Sequence, residues 1–169
     1  DWSSDVCSSD LGHAIVAESL PFTDPVHKVT IMPRGRALGL TWQLPERDRI
    51  SMYKDQMLSQ LSILFGGRIA EDIFVGRIST GASNDFERAT QMAREMVTRY
   101  GMSDKMGVMV YAENEGEVFL GRSVTRSQHI SEKTQQEIDA EVRRILDEQY
   151  AVAYKILDEN RDKMETMCK

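Results

Sequence analysis

Three residues near the start of the chain lay out an incomplete metal-hydrolase motif. In H-E-x-x-H on a helix, two histidines four apart share one face and bind Zn²⁺, and the glutamate between them is the general base. His13, in the run Gly12-His13-Ala14-Ile15-Val16-Ala17-Glu18, fits the second histidine. The first histidine position holds Ser9 and the base position holds Asp10. Serine is a poor zinc donor because its hydroxyl stays protonated. Asp10 is one methylene shorter than glutamate, and a misplacement of about 1 Å can cost about 100-fold in rate. Taken alone, a histidine on an apolar helix is more often a hydrogen-bonded core residue. Gly12 beside it favours the close approach of another backbone.

Asp85 is the second candidate, in Ser79-Thr80-Gly81-Ala82-Ser83-Asn84-Asp85, a tight loop running into a helix. A carboxylate in a first helical turn meets the positive end of the helix dipole, which is sufficient reason for its presence. The same rigid placement makes it a good third metal ligand.

Residues 1–11 differ in character from the remainder of the chain. They are rich in Ser and Asp, show no helical apolar stripe and run into an apolar helix without a turn signal. With neither a basic nor an apolar region they are not a signal peptide. The segment reads as translated adapter or vector sequence fused in frame, so that the native chain has other residues at positions 9 and 10. The alternative is a native disordered tail. The division is therefore 1–11 as a non-native or disordered segment and 12–169 as the folded domain.

A chain of 169 residues with 41% hydrophobic content fits one domain with a sizeable core. A net charge of −6, with basic residues dispersed, argues against nucleic-acid binding. No apolar run is long enough for a transmembrane helix. Cys7 and Cys168, at opposite ends, form neither a disulfide framework nor a C-x-x-C metal site and fit a reducing compartment. The ten methionines, at helical spacing, read as core filler.

Gly12 to about Leu20 reads as a helix ended by Pro21. Val26–Met32 and Ala37–Leu44 read as strands around a Pro33–Arg36 turn, a β-hairpin. Met57, Leu58, Leu61, Leu64, Phe65 and Ile69 give a 3.6-residue period over about 50–74. Gly66-Gly67 interrupts that helix and marks a close packing contact. Asn84 is expected to cap the next helix, with Glu87 completing a capping box, and Gly101 to stop it. Residues 106–120 read as irregular. Ser131 caps a long final helix whose stripe is Ile138, Val142, Ile145, Gln149, Val152 and Ile156, suited to a helical hairpin or an oligomer seam.

Five blocks in order carry a specific resemblance: Gly12-His13-Ala14, residues 26–39, Gly66-Gly67-Arg68-Ile69-Ala70-Glu71, residues 79–85, and Glu115-Gly116-Glu117-Val118-Phe119-Leu120-Gly121-Arg122. From about Gly12 to Lys169 the chain resembles the peptidase domain of the FtsH-type ATP-dependent zinc metalloproteases, peptidase family M41. The resemblance implies a mainly α fold: a helical peptidase domain with a small β-hairpin near the zinc site and a long C-terminal helix. It implies Zn²⁺ as cofactor, with His13 as second ligand and Asp85 as carboxylate ligand, Glu71 being a rival. Asp10 stands at the position of the family's Glu base. The implied reaction is hydrolysis of peptide bonds by zinc-activated water, on unfolded or membrane proteins.

The implied full-length assembly is a membrane-anchored homo-hexamer, with the peptidase domain on the cytoplasmic side in bacteria. ATP acts only through an AAA+ module, of which no G-x-x-x-x-G-K-[ST] is present here; the membrane is reached only through an N-terminal part. His27 matches a family position with no ligand role, and His129 reads as a surface residue. With Ser9 and Asp10 in place the site is expected to be inactive. The alternative is a degenerate, non-catalytic domain acting in oligomerisation or partner binding.

Overall fold

A computed structural model describes residues 2–21, 23, 26–30, 40–43, 51–77, 79–111 and 130–167. These residues are mainly helical. Helix α1 spans Trp2–Ser19, strands β1 and β2 span Val26–Thr30 and Leu40–Gln43, and α2 spans Lys54–Ala70. A π-helical turn, Glu71–Val75, comes directly after α2. Helix α3 is Ser83–Thr98, α4 is Glu132–Glu159 and α5 is Arg161–Met167.

α1 extends before Gly12 into the segment whose sequence differs in character from the rest. It is one helix of 18 residues beginning at Trp2. Nothing from Trp2 to Leu11 breaks a helix, and Ser and Asp disfavour one by only about 0.5 kcal/mol each. Burial of Leu11, and of Ala14, Val16 and Ala17 further along the same helix, outweighs that preference. At the other end Thr23 Oγ1 donates to the Ala17 carbonyl at 2.6 Å, closing the helix.

β1 and β2 pair antiparallel, with Thr30 opposite Leu40 and an irregularity between Val26 and Lys28. The Val26 amide donates to Glu18 Oε1 at 3.2 Å, tying the pair to α1. The segment expected to form the turn, at 33–36, lies outside the described residues, as do the 115–122 block and His129.

α2 is the central element. Leu61, Leu64, Phe65, Ile69 and Ala70 are buried, but so are Ser59, Ser62, Gly66 and Gly67. A helix buried on several faces must satisfy its polar side chains internally. Ser59 Oγ donates to the Pro21 carbonyl at 3.2 Å, and Ser62 Oγ bonds Gln149 Oε1 at 3.0 Å on α4. Gly66-Gly67 does not interrupt the helix, contrary to expectation. It is the place where α1 meets α2 backbone to backbone, and a methyl on Gly66 would come within 2.7 Å of the Gly12 carbonyl oxygen.

α3 contributes Ala89, Ala93, Met96 and Val97 to the core. It starts at Ser83, and Asn84 lies inside the first turn instead of capping it. Backbone bonds do the work of a cap: the Ser83 amide reaches the Thr80 carbonyl at 3.2 Å and the Phe86 amide the Ala82 carbonyl at 3.1 Å. Ser131 caps α4 as expected, its Oγ accepting from the Thr134 amide at 3.2 Å. The buried stripe of α4 runs Ile138, Val142, Ile145, Ala153 and Leu157. Val152 is exposed, because a strict alternation of four and three drifts off the core face of a 3.6-residue helix over several turns.

One buried charge pins the segment after α3 to α4. Glu141 is 5% exposed. Its Oε2 accepts from Ser103 Oγ at 2.6 Å, and Arg144 binds both oxygens at 3.0 and 3.1 Å. Ser103 Oγ in turn accepts from the Met106 amide at 3.2 Å. The Arg144 hydrogen bonds hold the Glu141 carboxyl below its ordinary range, against the opposing effect of burial.

Gly66→Ala is expected to lower stability by about 1–3 kcal/mol through backbone overlap, read as a fall in melting temperature; an unchanged value would contradict this helix contact. Glu141 stabilises the fold fully above its unfolded pKa, near 4.5, and that contribution is lost as pH falls through the lower, folded pKa. Denaturation at a series of pH values should therefore show stability declining with acid below about pH 5. Glu141→Gln should be less stable at neutral pH and should flatten the decline; parallel curves for the two proteins would rule the linkage out.

Candidate metal centre

α1, α2 and the start of α3 bring His13 and Asp85 together. His13 Nδ1 lies 2.7 Å from the Ile63 carbonyl oxygen of α2. A carbonyl can only accept, so Nδ1 carries a proton, and in the neutral ring Nε2 is left with its lone pair. Nε2 faces Asp85 Oδ2 at 3.6 Å, with both side chains part-buried, at 16% and 22% exposure. The two atoms form an ion pair when Nε2 also carries a proton, and when it does not they face each other as two donors for one cation. Donors about 2.1 Å from a tetrahedral ion stand about 3.4 Å apart, close to the observed separation.

Each partner is held by a specific local device. Gly67 has no side chain, and a methyl there would collide with His13 Nε2 and Ser9 Oγ. The ring thus packs its Nε2–Cε1 edge over Gly67 and reaches a carbonyl one turn back. Asp85 is placed by the loop before α3. Glu71, buried in the π turn, accepts from Ser79 Oγ at 2.9 Å and from the Ser79 amide at 3.3 Å. Ser79 Oγ also accepts from the Gly81 amide at 3.1 Å. Arg68 reaches the Ser79 carbonyl at 3.4 Å and lies 5.9 Å from the centre of the Phe86 ring. The loop is fastened at several points, so the first turn of α3 presents Asp85 in one direction.

Glu71, the rival carboxylate, spends both oxygens on Ser79 and acts as a positioning residue. Ser9 stands one turn before His13, its Oγ against the same point of Gly67 as Nε2. Asp10, next along the helix, is buried. Sequence reasoning missed the Ile63 carbonyl, which no residue type could reveal, and the tie from Glu71 to Ser79. The Gly66-Gly67 pair was the available signal for the first. Beside α3 an open groove of about 490 Å³ is lined by Met52, Met57, Met92 and Tyr100 and by the charged Glu87, Arg88 and Glu95.

Among the described residues no three His, Cys, Asp or Glu side chains converge as a metal site. A catalytic zinc site uses three protein ligands and keeps a fourth position for water. His13 and Asp85 supply two, and Ser9 supplies a neutral hydroxyl. The residues present therefore do not make up a resident zinc site.

A family model described as Peptidase family M41 matches residues 6–169. The ATP-dependent zinc metalloprotease FtsH of Cupriavidus metallidurans is 62% identical over 156 residues, covering 92% of this chain and 24% of that protein. The protein of the same name from Photobacterium profundum is 52% identical over 169 residues, covering 99% of this chain and 24% of the relative. That from Haemophilus influenzae is 54% identical over 160 residues, covering 94% and 25%. The chain spans about a quarter of the length of these relatives.

Nitrogen-15 spectra of the imidazole at alkaline pH should show His13 as the Nδ1–H tautomer. An Nε2–H tautomer would mean that the Ile63 contact does not form.

Proposed function

The chain belongs to peptidase family M41, and on that premise we propose that it is the proteolytic domain of a membrane-anchored, ATP-dependent zinc metalloendopeptidase. The observation that carries the reading is His13, locked by the Ile63 carbonyl and turned towards Asp85. His13 and Asp85 are proposed as metal ligands, and Asp10 occupies the place of the general base. Unfolded or membrane polypeptides are the proposed substrates. The strand pair tied to α1 offers an edge for an extended backbone, and the groove beside α3 presents three methionines and Tyr100 among charged residues to a substrate chain. ATP-driven unfolding, hexamer formation and membrane anchoring are assigned to regions such as those that make up the rest of the longer relatives. None of the described helices is long and apolar enough to cross a membrane.

With Ser9 and Asp10 replacing one donor and the glutamate base, the chain has little or no peptidase activity. Residues 1–11 are proposed to be non-native in sequence, with the native gene encoding His-Glu there. A second reading arises from the same two residues: if Ser9 and Asp10 are native, the domain is a degenerate peptidase that folds, assembles and binds partners.

Ser9→His combined with Asp10→Glu should hold one zinc per chain and cleave casein, while leaving stably folded proteins intact. The unaltered chain should do neither. Casein cleavage by the unaltered chain, or an inert double variant that binds zinc, would defeat the proposal. Sequencing the native gene upstream of Gly12 separates the two readings.

A further inference from the structure

We propose that Met52 and Met92 form an oxidation site for small neutral peroxides, and that sulfoxide formation there turns the groove beside α3 from a partly apolar surface into a polar one. The consequence for a bound chain rests on the reading of this groove as a contact for substrate polypeptide. The observation that carries the proposal is the grading of three thioethers in one open lining. Met52, two residues before α2, is 41% exposed. Met92, on α3, is half-buried and packs against the core. Met57, in the first turn of α2, is buried. Met96, one turn after Met92, and Met164 of α5 are fully enclosed. A peroxide entering from solvent therefore meets the sulfurs of Met52 and Met92 and is kept from those of the core. Packing does not demand sulfur at the two outer positions, because leucine fills nearly the same apolar volume.

With hydrogen peroxide as oxidant, the thioether sulfur gives an electron pair to one peroxide oxygen. The S–O bond forms as the O–O bond breaks. The transferred oxygen gives up its proton to the departing hydroxide, which leaves as water. Sulfur is oxidised by two electrons and peroxide is reduced by two. A dithiol reverses the step: it becomes a disulfide, and the sulfoxide oxygen leaves as water. The carboxylates of Glu87 and Glu95 in the lining do not repel an uncharged oxidant. The product oxygen is a strong acceptor, and Arg88 and Gln91 line the same groove as donors. Gln91 Nε2 donates one hydrogen to Glu95 Oε1 at 2.8 Å and keeps a second. Oxidised methionines thus gain polar partners within the groove and lose the soft apolar surface they offer to a substrate side chain.

The test exposes the whole chain to hydrogen peroxide and follows each methionine by peptide-resolved mass spectrometry. Met52 and Met92 should gain one oxygen about tenfold or more faster than Met96 and Met164, because reaction follows access to the sulfur. Equal rates at the four positions would overturn the site. Binding of fluorescently labelled casein, read by anisotropy, gives the consequence. Sulfoxides at Met52 and Met92 should weaken it by about tenfold, as a polar group placed against apolar side chains does, and a methionine sulfoxide reductase with dithiothreitol should restore it. Met52→Leu combined with Met92→Leu, compared with its own untreated sample, should lose no affinity to peroxide. Met109→Leu combined with Met167→Leu, which removes two other exposed sulfurs, should still lose it. Circular dichroism of the oxidised chain should match the untreated one; a loss of affinity that comes with a loss of helix, or that persists without Met52 and Met92, overturns the inference. If casein binds equally well before and after oxidation, the inference falls and the groove reading stands. If the untreated chain does not bind casein, the groove reading falls and the inference with it.

Discussion

The contact between Gly12 of α1 and Gly66 of α2 governs everything near the site. The two helices approach so closely that a side chain at either position would overlap the backbone of the other helix. From that approach come the passage of the His13 ring over Gly67 and its reach to Ile63. A pair of helices held further apart by even one methyl group would leave the ring without its backbone partner. The apolar contacts of Val16, Leu61 and Ile69 pull the helices together, but the glycines decide how close they come.

The rest of the site is built with the same economy. Carbonyl and amide groups of the main chain orient the histidine and the loop, and side chains such as Glu71 fasten the main chain. Scaffold and chemistry are consequently separable. In the proposed reading Ser9 and Asp10 stand in for a donor and a base, and the helix runs through both without a break. The family relationship is equally insensitive to them, since the matched region extends over residues 6–169.

Much of this is legible in the residues themselves. The 3.6-residue stripes of α3 and α4 come from burying one apolar face, and Ser131 caps α4 through a local bond that its type foretells. The pairing of His13 with Asp85 is legible only through family resemblance, because a separation of this kind is set by three elements meeting. The beginning of α1 escapes a sequence reading because weak local preference yields to tertiary burial. Asn84 looks like a cap and is not one, because the helix already begins at Ser83, with Ala82 at the capping position. The stripe of α4 strays at Val152 because a heptad-like spacing cannot be extended over a helix of 28 residues. Glu141, a charge in the core, escapes any hydrophobic pattern.

The burial of α2 from several sides bears on how the chain is made. Its polar clamp to α4 joins Ser62 to Gln149, 87 residues further along. During synthesis α2 leaves the ribosome well before α4 does. It therefore passes through an interval in which Leu61, Phe65 and Ile69 have α1 to lean on but no α4 to cover their other side. Such half-covered intermediates expose apolar surface and are prone to association. Any chain cut short before α4 keeps that surface open permanently, and a cell would meet it as a substrate for its own quality control.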